Sequence, residues 1–287
     1  MNILDDLKLQ YKLGGIAMRV IYWNVACFAI SLVFFYQYSG GGFAYPDWLA
    51  LSSDPNVFMF KPWTFLTYAF FHSSFFHLLF NMMVLNFASN LFLTFFTQKQ
   101  YLGLYILGAV FSGVVFSLSF YFLDMPGIIV GASAAIMAIL VAVTAYQPLM
   151  GVRLLLIGNV KLWHITAVIL VLDLMQFRLE NTGGHISHLA GALFGFIFIK
   201  LLQNGTDLSI IVSRTLDFFT NLFKKSPKTP FTKVHKNYQK PTEKVTSRIV
   251  TKDKTQQQID EILDKISQSG YDCLTKEEKE FLFKAGK

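Results

Sequence analysis

Six stretches of this chain are apolar over roughly the 20 residues that a helix needs to cross the hydrocarbon core of a bilayer. They run from Val20 to Tyr38, Phe75 to Thr97, Tyr101 to Leu123, Ile128 to Tyr146, Leu162 to Phe177 and Ile186 to Leu202. A helix suits them because it pairs its own backbone polar groups where no water can. The fifth stretch is the weakest, being short and holding Asp173. The first is too long for the apolar run of a cleaved signal peptide, and no small-residue cleavage site follows it. Charge placement supports the same division. Between Val20 and Gln203 the only cations are Lys61, Lys99, Arg153, Lys161, Arg178 and Lys200, and the only acids Asp47, Asp54, Asp124, Asp173 and Glu180. All other charges lie in the flanks, as expected of an all-α polytopic membrane protein with aqueous extensions.

Orientation follows from Lys and Arg, which favour the cytoplasmic side. Lys8, Lys12 and Arg19, the loop residue Lys99, the connection carrying Arg153 and Lys161, and the basic tail all fall on one side. Both termini are therefore expected in the cytoplasm, and the second, fourth and sixth helices run inward from the outer face. Residues 39–63 are too rich in Gly and Pro to span. Their aromatics, Phe43, Tyr45, Trp48, Phe58, Phe60 and Trp63, suit an outer loop partly sunk into the headgroup region. The net charge of +7 comes mostly from the tail. A basic linker beside anionic lipid accounts for it, without nucleic acid as a partner. Cys27 and Cys273 are too far apart in sequence and setting to suggest a disulfide framework or metal site.

Polar groups inside a membrane are expensive and mark function by default. Three clusters stand out, and each opens an inward-running helix. His72, His77 and Asn81 open the second, with His77 and Asn81 on one face at i, i+4. Ser133, in Gly131-Ala132-Ser133-Ala134-Ala135, is expected about a turn and a half into the fourth. His185 and His188 open the sixth. At 1.5 Å per residue the three lie at similar depth, in the outer third of the bilayer. A lone Ser in a membrane helix commonly bonds back to its own backbone. Here the fourth helix offers Gly131, Ala132, Ala134, Ala135 and Ala138, and the sixth offers Gly191 and Gly195. Small residues at such spacing let two helices touch backbone to backbone. Ser133 then comes within reach of a base in His188. His77, Asn81 and the Ser133 N–H are candidate donors to a developing oxyanion.

These motifs, H-x4-H-x3-N at His72, His77 and Asn81, G-x-S at Gly131 and Ser133, and H-x2-G-x3-G at His188, Gly191 and Gly195, resemble those of the rhomboid family of intramembrane serine proteases. Trp63 matches a loop tryptophan nine residues before the first His, and the resemblance covers roughly residues 20–203. It implies a six-helix membrane bundle with a cytoplasmic C-terminal tail, in a bacterial cytoplasmic membrane. It implies a Ser133–His188 dyad without an obligatory acid and oxyanion assistance from His77 and Asn81. It also implies that His72 shapes the same polar pocket and that no cofactor is needed. The implied substrates are single-pass membrane helices, cut near their outer ends. No carboxylate is expected beside the base, Asp173 being read as facing the bundle interior. Four positions depart from the family pattern: Ala134 follows the nucleophile in place of Gly, Met137 replaces an aromatic under the catalytic His, Thr64 follows Trp63 in place of Arg, and Leu93 replaces a Glu. The alternative is an inactive protein of this fold that binds membrane helices without cutting them. A transporter is disfavoured by the lack of paired repeats and charged midplane sites. The His185–His188 pair is not expected to hold metal, since no acidic or Cys ligand accompanies it and H-E-x-x-H is absent.

The chain is thus expected to divide into a cytoplasmic segment over 1–19, a membrane domain over 20–203, an amphipathic segment and basic linker over 204–258, and a helical module over 259–287. Leu208, Val212, Leu216, Phe219 and Phe223 form a stripe suited to the inner leaflet. Lys224 to Gln258 reads as a linker. A helix with Ile259, Ile262, Leu263 and Ile266 on one face then stops at Gly270, and Thr275 with Glu278 forms a capping box for a last helix. This hairpin suits an unknown partner.

Overall fold

Helices occupy all six apolar stretches: Gly15–Phe34, Phe75–Leu93, Gln98–Phe122, Ser133–Tyr146, Leu162–Gln176 and Thr182–Gln203. They come from a computed structural model that describes residues 2–154, 158–176, 181–223 and 254–285. Four of them are long and apolar enough to cross a membrane; the fourth and fifth are shorter apolar helices. Local sequence sets several of the boundaries. Ser74 accepts from the His77 N–H at 3.1 Å to start the second helix. Thr97 and Gln100 form a reciprocal capping box that starts the third. Asn181, left-handed at φ 51°, caps the sixth through the Gly184 N–H.

The fourth helix is the core of the bundle. Every side chain from Ala134 to Leu140 is buried, and its main contacts are with the sixth, third and second helices. Phe75, Phe76, Phe80 and Met83 on the second helix, and Val168, Val171, Leu174 and Met175 on the fifth, are instead exposed. Large apolar side chains turned outward are what a lipid solvent calls for.

One boundary corrects the expectation. The fourth helix begins at Ser133, not near Ile128. Ile128 and Ile129 pair antiparallel with Ser52 and Leu51 of the loop before the second helix. Gly131, at φ 140°, then makes a turn that L side chains rarely adopt. A Gly131 N–H bond to the Tyr68 carbonyl (2.9 Å) pins that turn, and Tyr68 itself donates to the Ala109 carbonyl at 2.8 Å. Ser133 is thus the first residue of its helix.

The loop ahead of the second helix contains an antiparallel pair, Tyr36–Gln37 with Gly42–Phe43, and the short helices Pro55–Phe58 and Thr64–Thr67. The Trp63 indole donates to the Trp48 carbonyl at 2.9 Å, and Lys61 pairs with Asp47 at 2.6 Å. A second hairpin, Gly151–Leu154 with Gly158–Lys161, joins the fourth and fifth helices. After the sixth, the amphipathic segment forms a helix, Ser209–Phe223, whose Ser209 lies directly against Gly103. Val212 is buried, while Ile210, Ile211, Leu216, Phe218, Phe219 and Leu222 are exposed.

Residues 227–287 form a separate unit. The expected linker lies outside the described residues as far as residue 253, as do Phe177, Arg178 and Glu180. The helix that follows starts at Lys254, earlier than expected, and ends at Ser269 before Gly270 at φ 78°. Thr275 and Glu278 make the capping box of Lys276–Ala285: the Glu278 N–H donates to Thr275 Oγ1 at 3.3 Å, and the Thr275 N–H to Glu278 Oε2 at 2.9 Å. Lys265 Nζ donates to Glu278 Oε1 at 2.6 Å, and this bond, with the Thr275 N–H, holds the Glu278 carboxyl down at about 2, from 4.5. A depressed carboxyl stabilises the fold above its unfolded value and loses that contribution as pH falls through the folded one. Acidification from about pH 4.5 to about pH 2 should therefore loosen this hairpin. Amide exchange at Thr275 in the full chain should report the change, and Glu278→Gln should remove its acid dependence.

Candidate active site

A cavity of about 410 Å³ opens among the second, fourth, fifth and sixth helices, lined by His77, Asn81, Ser133, Met137, Asp173 and His188 together with apolar side chains. The candidate nucleophile, base and oxyanion donors, far apart in sequence, thus face one space.

Ser133 owes its position to Gly131. A Cβ at Gly131 would lie 3.0 Å from His77 Nε2 and 3.5 Å from Ser133 Oγ, so any side chain there would crowd both groups. Starting the helix at Ser133 has a second consequence. The first N–H groups of a helix have no partner within it, and Ala132 has no side chain to cap them. Had the helix begun at Ile128, the Ser133 N–H would be tied to its own helix. It is instead directed ahead of the N-terminus, at the positive end of the helix dipole.

His77 is held by Ser73, which the sequence reading had passed over. The Ser73 N–H donates to His77 Nδ1 at 3.4 Å, with Ser73 Oγ 2.9 Å from the same atom. An Nδ1 that accepts leaves the proton of the neutral ring on Nε2. The Cε1–Nε2 edge of the ring lies against Gly131, and His77 lines the same cavity as Ser133, so His77 is set up as a donor. Asn81 Nδ2 is buried without a partner. An unpaired buried donor costs about 1–3 kcal/mol, which an incoming carbonyl oxygen would relieve. His72 is fully buried, with its ring centroid 5.1 Å from that of His77. Tyr45 of the preceding loop donates its hydroxyl to the His72 carbonyl at 2.7 Å. His77→Ala should slow turnover roughly 10- to 1,000-fold, read as kcat on a fluorogenic transmembrane substrate.

Gly191 and Gly195 bring the fourth and sixth helices together. A Cβ at Gly191 would overlap the Ala134 carbonyl oxygen, and one at Gly195 the Ala138 carbonyl oxygen. The backbones therefore touch, as the small-residue spacing suggested. Ser133 and His188 line the same cavity, and no hydrogen bond joins them in this conformation. Such bonds are often long before substrate binds.

The acid side of the site departs from expectation. Asp173 of the fifth helix is buried, and its Oδ1 lies 2.9 Å from His188 Nδ1 and 2.7 Å from His185 Nδ1. A carboxylate does stand beside the base, contrary to the sequence reading. Asp173 lies 15 residues before His188, on the preceding helix, and meets it across the helix pair. The premise that no acidic ligand accompanies His185 and His188 is likewise corrected. The three side chains each offer one ligand atom, all within 4.8 Å of one another, a set that a divalent cation accepts. In this geometry both ring nitrogens point at one oxygen at hydrogen-bond distance.

Comparison with known proteins accords with this architecture. The model of the rhomboid domain family matches residues 60–204, which include all three motifs. A family of unknown function (DUF6576) matches residues 250–284. No curated protein matches the chain. With half of its length matched by the rhomboid domain and its polar residues gathered on a helical membrane bundle, the chain belongs to the rhomboid family.

Proposed function

We propose that this protein is an intramembrane serine endopeptidase that cuts single-pass transmembrane helices near their outer ends. The observation that carries the reading is the shared cavity: Ser133, His188, His77 and Asn81 reach one space from three helices. Ser133 Oγ attacks the scissile carbonyl as His188 takes its proton, which makes an otherwise weak nucleophile competent. The new oxyanion is met by His77 Nε2–H, Asn81 Nδ2 and the Ser133 N–H. His188 then gives the proton to the leaving amine, and water, activated by the same base, hydrolyses the acyl-enzyme. No cofactor enters any of these steps.

The charge distribution supports cytoplasmic termini and a site near the outer face. The cavity's apolar lining, including Phe80, Val84, Ile169 and Leu172, suits a substrate delivered from lipid. The second reading, an inactive helix binder, draws on Ala134 after the nucleophile and on the missing Ser133–His188 bond. A fluorophosphonate probe on the detergent-solubilised protein separates the two. Labelling of the wild type but not of Ser133→Ala or His188→Ala is the expected result. A folded wild type that takes no label favours the inactive binder.

A further inference from the structure

The geometry points to Asp173 as the positioning residue of a Ser133–His188–Asp173 triad, with His185 holding the carboxylate in place. This inference rests on the proposed protease function and adds to it an acid that the family resemblance does not supply.

A buried carboxylate inside a membrane is costly unless it is paired. Among the described residues, Asp173 has two hydrogen-bond partners, both imidazoles: His188 Nδ1 at 2.9 Å and His185 Nδ1 at 2.7 Å, on the same Oδ1. An ionised carboxylate accepts from both imidazoles at these distances through charge-assisted hydrogen bonds. Donation from Nδ1 to Asp173 sets the His188 tautomer, so that Nε2 carries the lone pair. When Ser133 attacks, its proton passes to His188 Nε2 while the Nδ1 proton stays on the ring, hydrogen-bonded to Asp173. The resulting imidazolium is stabilised by the carboxylate beside it, and the proton later leaves with the amine. His185 supplies the second bond that stops the carboxylate from turning away. That gives a task to a histidine which the nucleophile, base and oxyanion roles leave idle. Among the described residues, the other titratable group lining this space is His77, from the second helix.

Full-length wild type, Asp173→Asn, His185→Gln and Ser133→Ala should be compared on a fluorogenic transmembrane substrate. Asp173→Asn is expected to lower kcat roughly 100- to 10,000-fold with KM nearly unchanged. His185→Gln should lower kcat by less, on the order of 10-fold, because the His188 bond survives. A merely structural role would shift unfolding temperature or KM instead. Wild-type kcat in Asp173→Asn, with Ser133→Ala inactive, would overturn the triad and leave a dyad protease. Cleavage by Ser133→Ala would instead overturn the proposed function.

If Asp173→Asn does not fold, the wild type decides. With histidine labelled by ¹⁵N, the His188 Nδ1 proton should resonate far downfield of a free imidazole N–H, and its absence there would overturn the proposal. Loss of activity on chelation, restored by Zn²⁺, would also overturn it, since the three side chains would then be binding a metal.

Discussion

Ser133→Ala should reduce cleavage of a transmembrane substrate to background while leaving the unfolding temperature unchanged, and His188→Ala should do the same. Loss of either partner of an activated serine removes about 10⁶-fold in the best-measured soluble case. A loss beyond roughly 10,000-fold is expected here. Neither side chain is buried deeply enough to hold the bundle together. Among the described residues, Ser133 is half-buried with no side-chain hydrogen bond, and His188 has only Asp173 as a hydrogen-bond partner. The two effects should not add, because each removes the same proton transfer. Kinetics of the single and double variants in one detergent check this. Equal rates for wild type and Ser133→Ala would remove Ser133 from the chemistry.

Gly191→Leu should fail differently, by preventing the fourth and sixth helices from closing. The space for even one carbon at Gly191 is taken by the Ala134 carbonyl oxygen. Backbone cannot yield as a flexible side chain does. Gly191→Ala should already cost about 1–3 kcal/mol, read as a lower unfolding temperature of the solubilised protein. Gly191→Leu, which demands a shift of the whole helix, should give no folded protein. An active, normally stable Gly191→Leu variant would refute the backbone contact. By comparison, Gly205→Ala, at a glycine with nothing around it, should cost only what its positive φ of 87° imposes.

Much of this architecture is readable along the chain. A polar residue in an apolar run is conspicuous because lipid penalises it, so His72, His77, Asn81, Ser133, His185 and His188 stand out without any knowledge of packing. The glycines at 191 and 195 are similarly visible, since only small residues permit backbone contact at that spacing. Caps are local as well, which is why Gly270 and the Thr275–Glu278 box are legible from a few residues. Ser73 was legible in principle: it lies four residues before His77, but its support depends on the chain turning at Ser74.

Other features depend on residues distant in sequence. Hydropathy cannot separate a helix from a strand over Ile128–Ile129; their pairing with Leu51–Ser52 settles it, and that pairing moves Ser133 to the head of its helix. Asp173 reads in sequence only as an acid of a weak span that faces the bundle interior, because nothing near it in sequence shows what it meets. The protein's lipid-spanning character and its candidate site residues follow from composition and local spacing, since transfer into lipid and helical periodicity act residue by residue. The free N–H of Ser133, the donor state of His77 and the carboxylate on His188 come from contacts between distant segments, and those form only when the helices close around the fourth.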